Sequence, residues 1–380
     1  MAKQRSIFEE VSDTAKPAAT PGGVTRDRSR ARRRVRIWLM VLFALVVTMI
    51  AVGGMTRLTD SGLSITEWAP LSGAIPPLNA EDWQAEFDAY RQIPQYELMN
   101  RGMSLEEFKV IYYWEWGHRQ LGRVIGLVWA LGFFGLLVTG NIPPGWTGRL
   151  LILGALGGAQ GAIGWWMVHS GLQEGMIAVA SYRLATHLGL AFLILGLIAW
   201  FVLKLGRDEA QLMQARREGD RKLKGMATGL MHLSFLQILI GALVAGIDAG
   251  RNYIDWPLMA GGFLPPDIWA LEPWWRNLFE NDGTVQFIHR MVGYVLAFFA
   301  LGAWIAARRT ARLATKRAFD WLAAGVVLQI VLGIVTVMHS SPWYIAIWHQ
   351  LGAVLVLTLI LRARYLAMYP LPQSVKGQRA

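Results

Sequence analysis

Four of the seven histidines in this chain fall in a pattern that could hold a planar metal ligand. HRQLGRVIG, starting at His118, is answered by HRMVGYVLA at His289, an offset of 171 residues. THLGLAFLILGL from Thr186 is answered by WHQLGAVLVLTL from Trp348, which sets His187 against His349 at an offset of 162. All four lie at the edges of apolar stretches, where a polar side chain is costly and tends to be functional. Two imidazoles from alternate helices of one bundle could approach opposite faces of a porphyrin, the arrangement of bis-imidazole haem ligation. Packing histidines are the plain alternative. Zinc is a weaker one, because no third His, Cys or carboxylate of the usual kind recurs in both repeats.

The neighbours of these histidines add chemistry. Arg119 and Arg290 directly follow the first member of each pair, where a guanidinium fork suits a haem propionate and interfacial snorkelling is an equal reading. Gly122 and Gly293 lie one turn further on and permit close approach of either a macrocycle or a neighbouring helix. Three residues before His118 stands Glu115, while the matching position before His289 is Gln286. A residue at i−3 shares the helix face of the His, so one site has an ionisable group and the other a neutral amide. Glu can move a proton or stabilise positive charge; Gln can do neither. This difference suggests chemistry at the N-terminal site and electron transfer at the C-terminal one, with an interfacial role for Glu115 as the alternative. His169, His339 and His232 are expected to stand apart, the first two at helix ends and the third toward the opposite side.

These side chains need a scaffold that crosses a membrane. Of the 380 residues 54% are hydrophobic and only 17% charged, against about 25% charged in a soluble domain. Eight stretches approach or reach the roughly 20 apolar residues of a spanning helix: Ile37–Met55, Gly117–Val138, Leu150–Val168, Leu184–Leu203, Met226–Ala245, Gln286–Ala307, Ala318–Val337 and Ile345–Ile360, the last expected to extend at both ends. Helices are expected because lipid offers no partner for unpaired backbone groups. If both termini share one side, that side carries 27 of the 37 Lys and Arg residues. This asymmetry makes it cytoplasmic and accounts for the net charge of +11 without nucleic acid; some attraction to anionic membrane lipid is implied. The two longest connections, near 57–116 and 246–285, then face outward. Their tryptophans, among them Trp68, Trp83, Trp114, Trp269, Trp274 and Trp275, read as an aromatic belt or as a lid over a ligand. The absence of cysteine excludes disulfides, thiolate metal sites, iron–sulfur clusters and covalent c-type haem.

The chain also repeats itself beyond the histidines. DSGLSITEW from Asp60 matches DAGRNYIDW from Asp248, and Gln160 and His169 match Gln329 and His339 at offsets of 169 and 170. The predicted fold is therefore an all-α integral membrane protein of two tandem four-helix bundles related by a pseudo-twofold axis along the membrane normal. Its parts are a disordered basic cytoplasmic tail (1–36), an N-terminal bundle (37–205), a cytoplasmic linker (206–225), a C-terminal bundle (226–365) and a short cytoplasmic tail (366–380).

EWGHRQLGR, from Glu115 to Arg123, resembles the Glu-x-x-His-Arg signature of the haem A synthase family, membrane enzymes that complete haem A for cytochrome c oxidase. HRMVGY, THLGLA, WHQLGA, GGMTRLTDSGLSITEW and the WPLMAG stretch after Asp255 fit the same family, and the resemblance runs from about residue 37 to 365. One such motif would be weak; the ordered set is strong. The resemblance implies that haem O is the substrate and that one ring methyl becomes a formyl group, by two rounds of oxidative hydroxylation and loss of water. It implies that His289 and His349 ligate the iron of a resident haem b, and that His118 and His187 flank the iron of the substrate haem with Glu115 catalytic beside the reacting edge. Many relatives carry cysteine pairs in the outer loops; this chain resembles the cysteine-free branch of proteobacteria and mitochondria, with no thiol relay. The implied location is a bacterial inner membrane with the haem sites near the periplasmic side. A haem O synthase in the same membrane is an implied partner, alongside an unidentified redox partner; a homo-oligomer is left open. A non-catalytic diheme b-type electron carrier is the main alternative, and a haem transporter or assembly chaperone a third.

Overall fold

The computed structural model describes residues 21–372, with side chains from residue 28 onward. Among these residues there is no β-strand, only an isolated bridge between Met259 and Gly262. The helices are α1 (Pro21–Leu58), α2 (Ala80–Tyr90), α3 (Pro94–Leu98), α4 (Leu105–Val138), α5 (Thr147–Gly171), α6 (Ser181–Leu205), α7 (Glu209–Arg217), α8 (Arg221–Gly246), α9 (Asn277–Glu280), α10 (Asp282–Ala307), α11 (Leu313–Met338) and α12 (Trp343–Met368). Eight of them, α1, α4, α5, α6, α8, α10, α11 and α12, are long and apolar enough to cross a membrane. Large apolar side chains such as Leu131, Phe134, Phe298 and Val327 stand exposed on these spans, as expected where lipid is the solvent. The chain has the architecture of a multi-pass membrane protein.

Several helices begin or end away from the limits that hydropathy suggests. α1 starts at Pro21, so residues 21–36 of the expected tail are helical, while residues 1–20 lie outside the described residues. α12 reaches Met368, beyond the expected boundary at 365, and residues 373–380 of the expected C-terminal tail lie outside the described residues. The expected linker 206–225 contains α7, whose first turn is closed by a capping box between Asp208 and Gln211. The largest difference is at α4, which starts at Leu105 and not at Gly117. Ser104 caps it: the Glu107 N–H donates to Ser104 Oγ while Glu107 Oε2 accepts from the Ser104 N–H, a reciprocal arrangement that satisfies two otherwise orphaned donors. The added turns are acidic and aromatic, so they carry no membrane signal.

Those turns have a local core of their own. Phe108, Ile111 and Tyr112 of α4 are buried with Leu63, Ile65, Trp83, Phe87, Tyr90, Ile93 and Tyr96, so the first long connection is a packed cap seated on α4. At the other end of the molecule, arginines satisfy helix C-termini. Arg32 Nη2 donates to Leu205 O of α6 at 3.1 Å, and Arg207 Nη1 to Tyr369 O beyond α12 at 2.8 Å. A cation there also complements the helix dipole.

The spans pack in an ordered way. α1, α4, α5 and α6 close one ring of neighbours, and α8, α10, α11 and α12 close another. The rings meet through α1 with α12, α6 with α8, and α6 with α12. Exchanging α1 for α8, α4 for α10, α5 for α11 and α6 for α12 maps this set of packed pairs onto itself. The matched segments after α1 and α8 share conformation too, since Asp60 and Asp248 both take left-handed backbone angles, φ 52° and 55°, which Asp tolerates better than most residues. Their carboxylates meet at Arg57, which donates to Asp60 Oδ1 at 2.8 Å and Asp248 Oδ2 at 2.6 Å and so ties the two rings together.

Candidate functional site

The four repeat-related histidines come together in two couples. His118 on α4 faces His187 on α6 with ring centres 6.4 Å apart and an interplanar angle of 54°. His289 on α10 faces His349 on α12 with centres again 6.4 Å apart and an angle of 80°. A metal-bound imidazole nitrogen lies about 2 Å from the metal and roughly 1 Å from its own ring centre, so two axial rings on one iron have centres about 6–6.5 Å apart. Both couples fit a haem iron between them. Among the described residues no group of three or more His, Cys, Asp or Glu gathers as a metal site, so the histidines stand as pairs, which suits a porphyrin and not a tetrahedral ion.

Each imidazole is seated against a glycine of the preceding span. A Cβ placed on Gly53 would lie 2.8 Å from His118 Cε1, one on Gly164 2.9 Å from His187 Cε1, one on Gly241 3.0 Å from His289 Cε1, and one on Gly333 2.9 Å from His349 Cε1. Any larger residue at these positions would push the ring aside. Four residues before three of these glycines stands a glutamine. Gln160 Nε2 donates to His187 O at 3.0 Å, Gln237 Nε2 to His289 O at 2.9 Å and Gln329 Nε2 to His349 O at 2.9 Å. Each amide nitrogen also lies within 3.1 to 3.2 Å of the ring Nδ1, and those of Gln160 and Gln237 lie 3.3 Å from the ring Nε2 as well. Sequence reasoning paired Gln160 with Gln329 but missed Gln237 and all four glycines. The signal was present as Gln-x-x-x-Gly inside three spans, with Met49 and Gly53 in the fourth. Gly122 and Gly293 take up a neighbouring helix: positions for their Cβ atoms lie 3.5 Å from Met49 Cε and 3.4 Å from Gln237 Nε2.

Glu115 and Gln286 are both buried at 3% exposure, and each ties its helix to the connection that follows the first span of its ring. Glu115 Oε2 accepts from Ser64 Oγ and from the Ile65 N–H, both at 2.8 Å. Its Oε1 accepts from Arg119 Nη2 at 2.6 Å. Gln286 instead donates through Nε2 to Ala249 O and Asn252 O, both at 2.7 Å, and accepts from Arg290 Nη2 at 2.8 Å. The first connection thus presents donors and the second presents carbonyls. Carboxylate against amide is the matching choice for each, which provides a local reason for the asymmetry beside the chemical one.

The arginines continue this tethering. Arg119 donates to Ile65 O at 2.8 Å and Glu67 O at 2.9 Å, and Arg290 to Tyr253 O at 2.7 Å, Leu258 O at 2.9 Å and Asp255 O at 3.0 Å. Arg290 gives most of its bonds to backbone carbonyls, whereas Arg119 divides its donors between two carbonyls and the Glu115 carboxylate. Further along α4, Arg123 holds Ala69 O and Pro70 O, each at 3.0 Å. The second connection is braced similarly by Asp255, whose carboxylate accepts from the Ala260 and Gly261 N–H groups. Those bonds, Gly261 first, hold its pKa below the usual carboxylate value. In the cap, burial and then the nearby Glu67 push the Glu86 carboxyl up.

The remaining expectations divide. His169, His339 and His232 are exposed and belong to neither couple. Trp83 is buried in the cap and Trp114 is partly buried on α4, whereas Trp68, Trp269, Trp274 and Trp275 are half or more exposed.

Comparison with known proteins covers nearly the whole chain. The model of a family described as cytochrome oxidase assembly protein (COX15-CtaA) matches residues 36–361. A protein of Jannaschia sp. (strain CCS1) named "Heme A synthase" is 72% identical, covering 99% of this chain and 100% of the relative. Proteins of the same name from Dinoroseobacter shibae and Paracoccus denitrificans are 66% and 60% identical, covering 99% and 98% of this chain and 99% of each relative.

Proposed function

The chain belongs to the cytochrome oxidase assembly protein family COX15-CtaA, and from that premise we propose that it converts haem O to haem A by oxidising one ring methyl to a formyl group. The observation that carries this reading is the pair of His couples, each with ring centres 6.4 Å apart, of which only one has a carboxylate on the same helix face. Relatives that share most of the sequence bear the name of this activity.

In this proposal His289 and His349 hold a resident haem b, and His118 and His187 hold the iron of the substrate haem. Methyl to formyl removes four electrons from the ring carbon and adds one oxygen atom; with water as the source of that oxygen (CH3 + H2O → CHO + 4 H+ + 4 e−) the electrons pass to a redox partner, and haem b would supply a one-electron carrier when bound. That α6 and α12, each bearing one His of a different couple, pack together supports electron transfer between the two sites. Glu115 is the proposed catalytic group, the ionisable side chain on the His118 face. Arg119, bonded to two carbonyls and to Glu115, and Arg290, bonded to three carbonyls and to Gln286, are proposed chiefly to hold the two connections over the haem edges, with propionate contact left to the donors that remain. The two rings serve as duplicated domains, 37–205 for the substrate and 226–365 for haem b. The excess of Lys and Arg at the ends and in the linker supports cytoplasmic termini in a bacterial inner membrane, with the His couples toward the periplasm. A haem O synthase is the proposed supplier of substrate, and a redox partner must take the electrons.

The test is extraction of haems from membranes of cells lacking this protein. Accumulation of haem O with loss of haem A is the expected result. Unchanged haem A would reject the enzyme reading and favour the diheme electron carrier.

A further inference from the structure

Three of the four histidines are held by the amide of a glutamine on the preceding span; His118 is not. At the matching place, four residues before Gly53, stands Met49, and its Cε packs 3.5 Å from the Cβ position of Gly122. A thioether is a weak acceptor and no donor, so it cannot make the bond to the His backbone that Gln160, Gln237 and Gln329 make. Consistent with this, His118 Nδ1 is buried without a hydrogen-bond partner. The other three rings each have a Gln amide against Nδ1, and the amide oxygens of Gln160, Gln237 and Gln329 are buried and unpartnered. Rotated toward the ring, in exchange for the bond to the His backbone oxygen, such an oxygen becomes the acceptor that an Nδ1–H requires when Nε2 binds a metal. A ligating imidazole whose second nitrogen has a partner is fixed in orientation and is more basic toward the metal; one without is neither.

Resting on the proposal that His118 is an axial ligand of the substrate haem, we propose that Met49 is a positioning residue that makes His118 the exchangeable ligand of the four. The N-terminal site then admits and releases its haem through the His118 side, while His187 stays anchored. The C-terminal site, with Gln237 and Gln329 behind both of its histidines, keeps its haem. One side chain distinguishes a site built for turnover of a haem from a site built for retention.

The experiment uses the full chain purified with its haems, reduced with dithionite and mixed with carbon monoxide, which binds only where an axial ligand gives way. In the parent protein, carbon monoxide is expected at the N-terminal haem. Met49→Gln should slow that binding about tenfold, the scale on which partners of metal ligands act, and should raise the fraction of haem O that co-purifies. Met49→Leu, which adds no amide, should behave as the parent. Gln237→Met should open the C-terminal haem to carbon monoxide. If Met49→Gln folds and binds carbon monoxide at the parental rate, the inference is overturned; if it does not fold, unchanged exclusion of carbon monoxide in Gln237→Met overturns it. His118→Ala separates the two levels. An altered spectrum of the carbon monoxide-binding haem in that variant, with no effect of Met49→Gln, removes the Met49 role alone, whereas an unaltered spectrum of that haem removes His118 as a ligand and the inference with it.

Discussion

At the scale of single residues, the contrast between Glu115 and Gln286 has two sources that one variant can separate. The carboxylate matches the donors Ser64 Oγ and Ile65 N, while the amide matches the carbonyls of Ala249 and Asn252. In Glu115→Gln the new NH2 meets either the Ile65 N–H or the Arg119 guanidinium as donor against donor, a mismatch of about 1–3 kcal/mol, and the ion pair with Arg119 is lost. Product formation is expected to stop while haem b is retained, as read by haem extraction and the spectrum of the purified protein. Full turnover in that variant would leave Glu115 only its tethering role. Increased protease sensitivity of the cap around Trp83, alongside lost turnover, would assign the loss to loosened tethering.

At the scale of the helix pair, the recurring unit is a span carrying glycine followed by a span carrying histidine. The glycine lets a ring sit where a side chain would stand, so its substitution should act through ligand geometry and not through helix propensity. Gly241→Val is expected to displace His289 and lower retention of haem b by about 10–100-fold. Gly302→Val, also on a spanning helix but with nothing within 4 Å of its Cβ position, should keep it. Haem quantified against protein in both variants decides the matter; equal haem content would separate the glycine wall from ligation.

At the scale of the whole molecule, two rings of four helices meet through a narrow set of spans, and each ring contains one His couple. Under the proposed assignment, this layout would let one site lose its haem while the other keeps its own. His289→Ala and His349→Ala are each expected to lose the resident haem b, whereas His118→Ala spares it, measured as the b-type absorbance of purified protein. Equal loss from both rings would overturn the division between a resident site and a substrate site. The bridge from Arg57 to Asp60 and Asp248 and the bond from Gln350 Nε2 to Ile50 O at 2.7 Å hold the rings in fixed relation.

Much of this organisation was legible in the linear chain. Eight spans could be counted because an apolar run of sufficient length has one outcome in lipid. The four histidines stood out because duplication repeats residue types at regular offsets. Even the tether was written as Gln-x-x-x-Gly, though only contact with a histidine on the next span gives that spacing a meaning.

Tertiary structure decided the rest. Which face of a span meets which neighbour depends on the rotation and register of packed helices, and no spacing within one segment contains that information. So the seating of each ring on a glycine, the missing amide behind His118 and the commitment of Arg119 and Arg290 to backbone carbonyls emerged only from the packed chain. The early start of α4 escaped a hydropathy reading for a related reason. Its first turns are held by a capping box and an aromatic cap, and lipid plays no part in forming them.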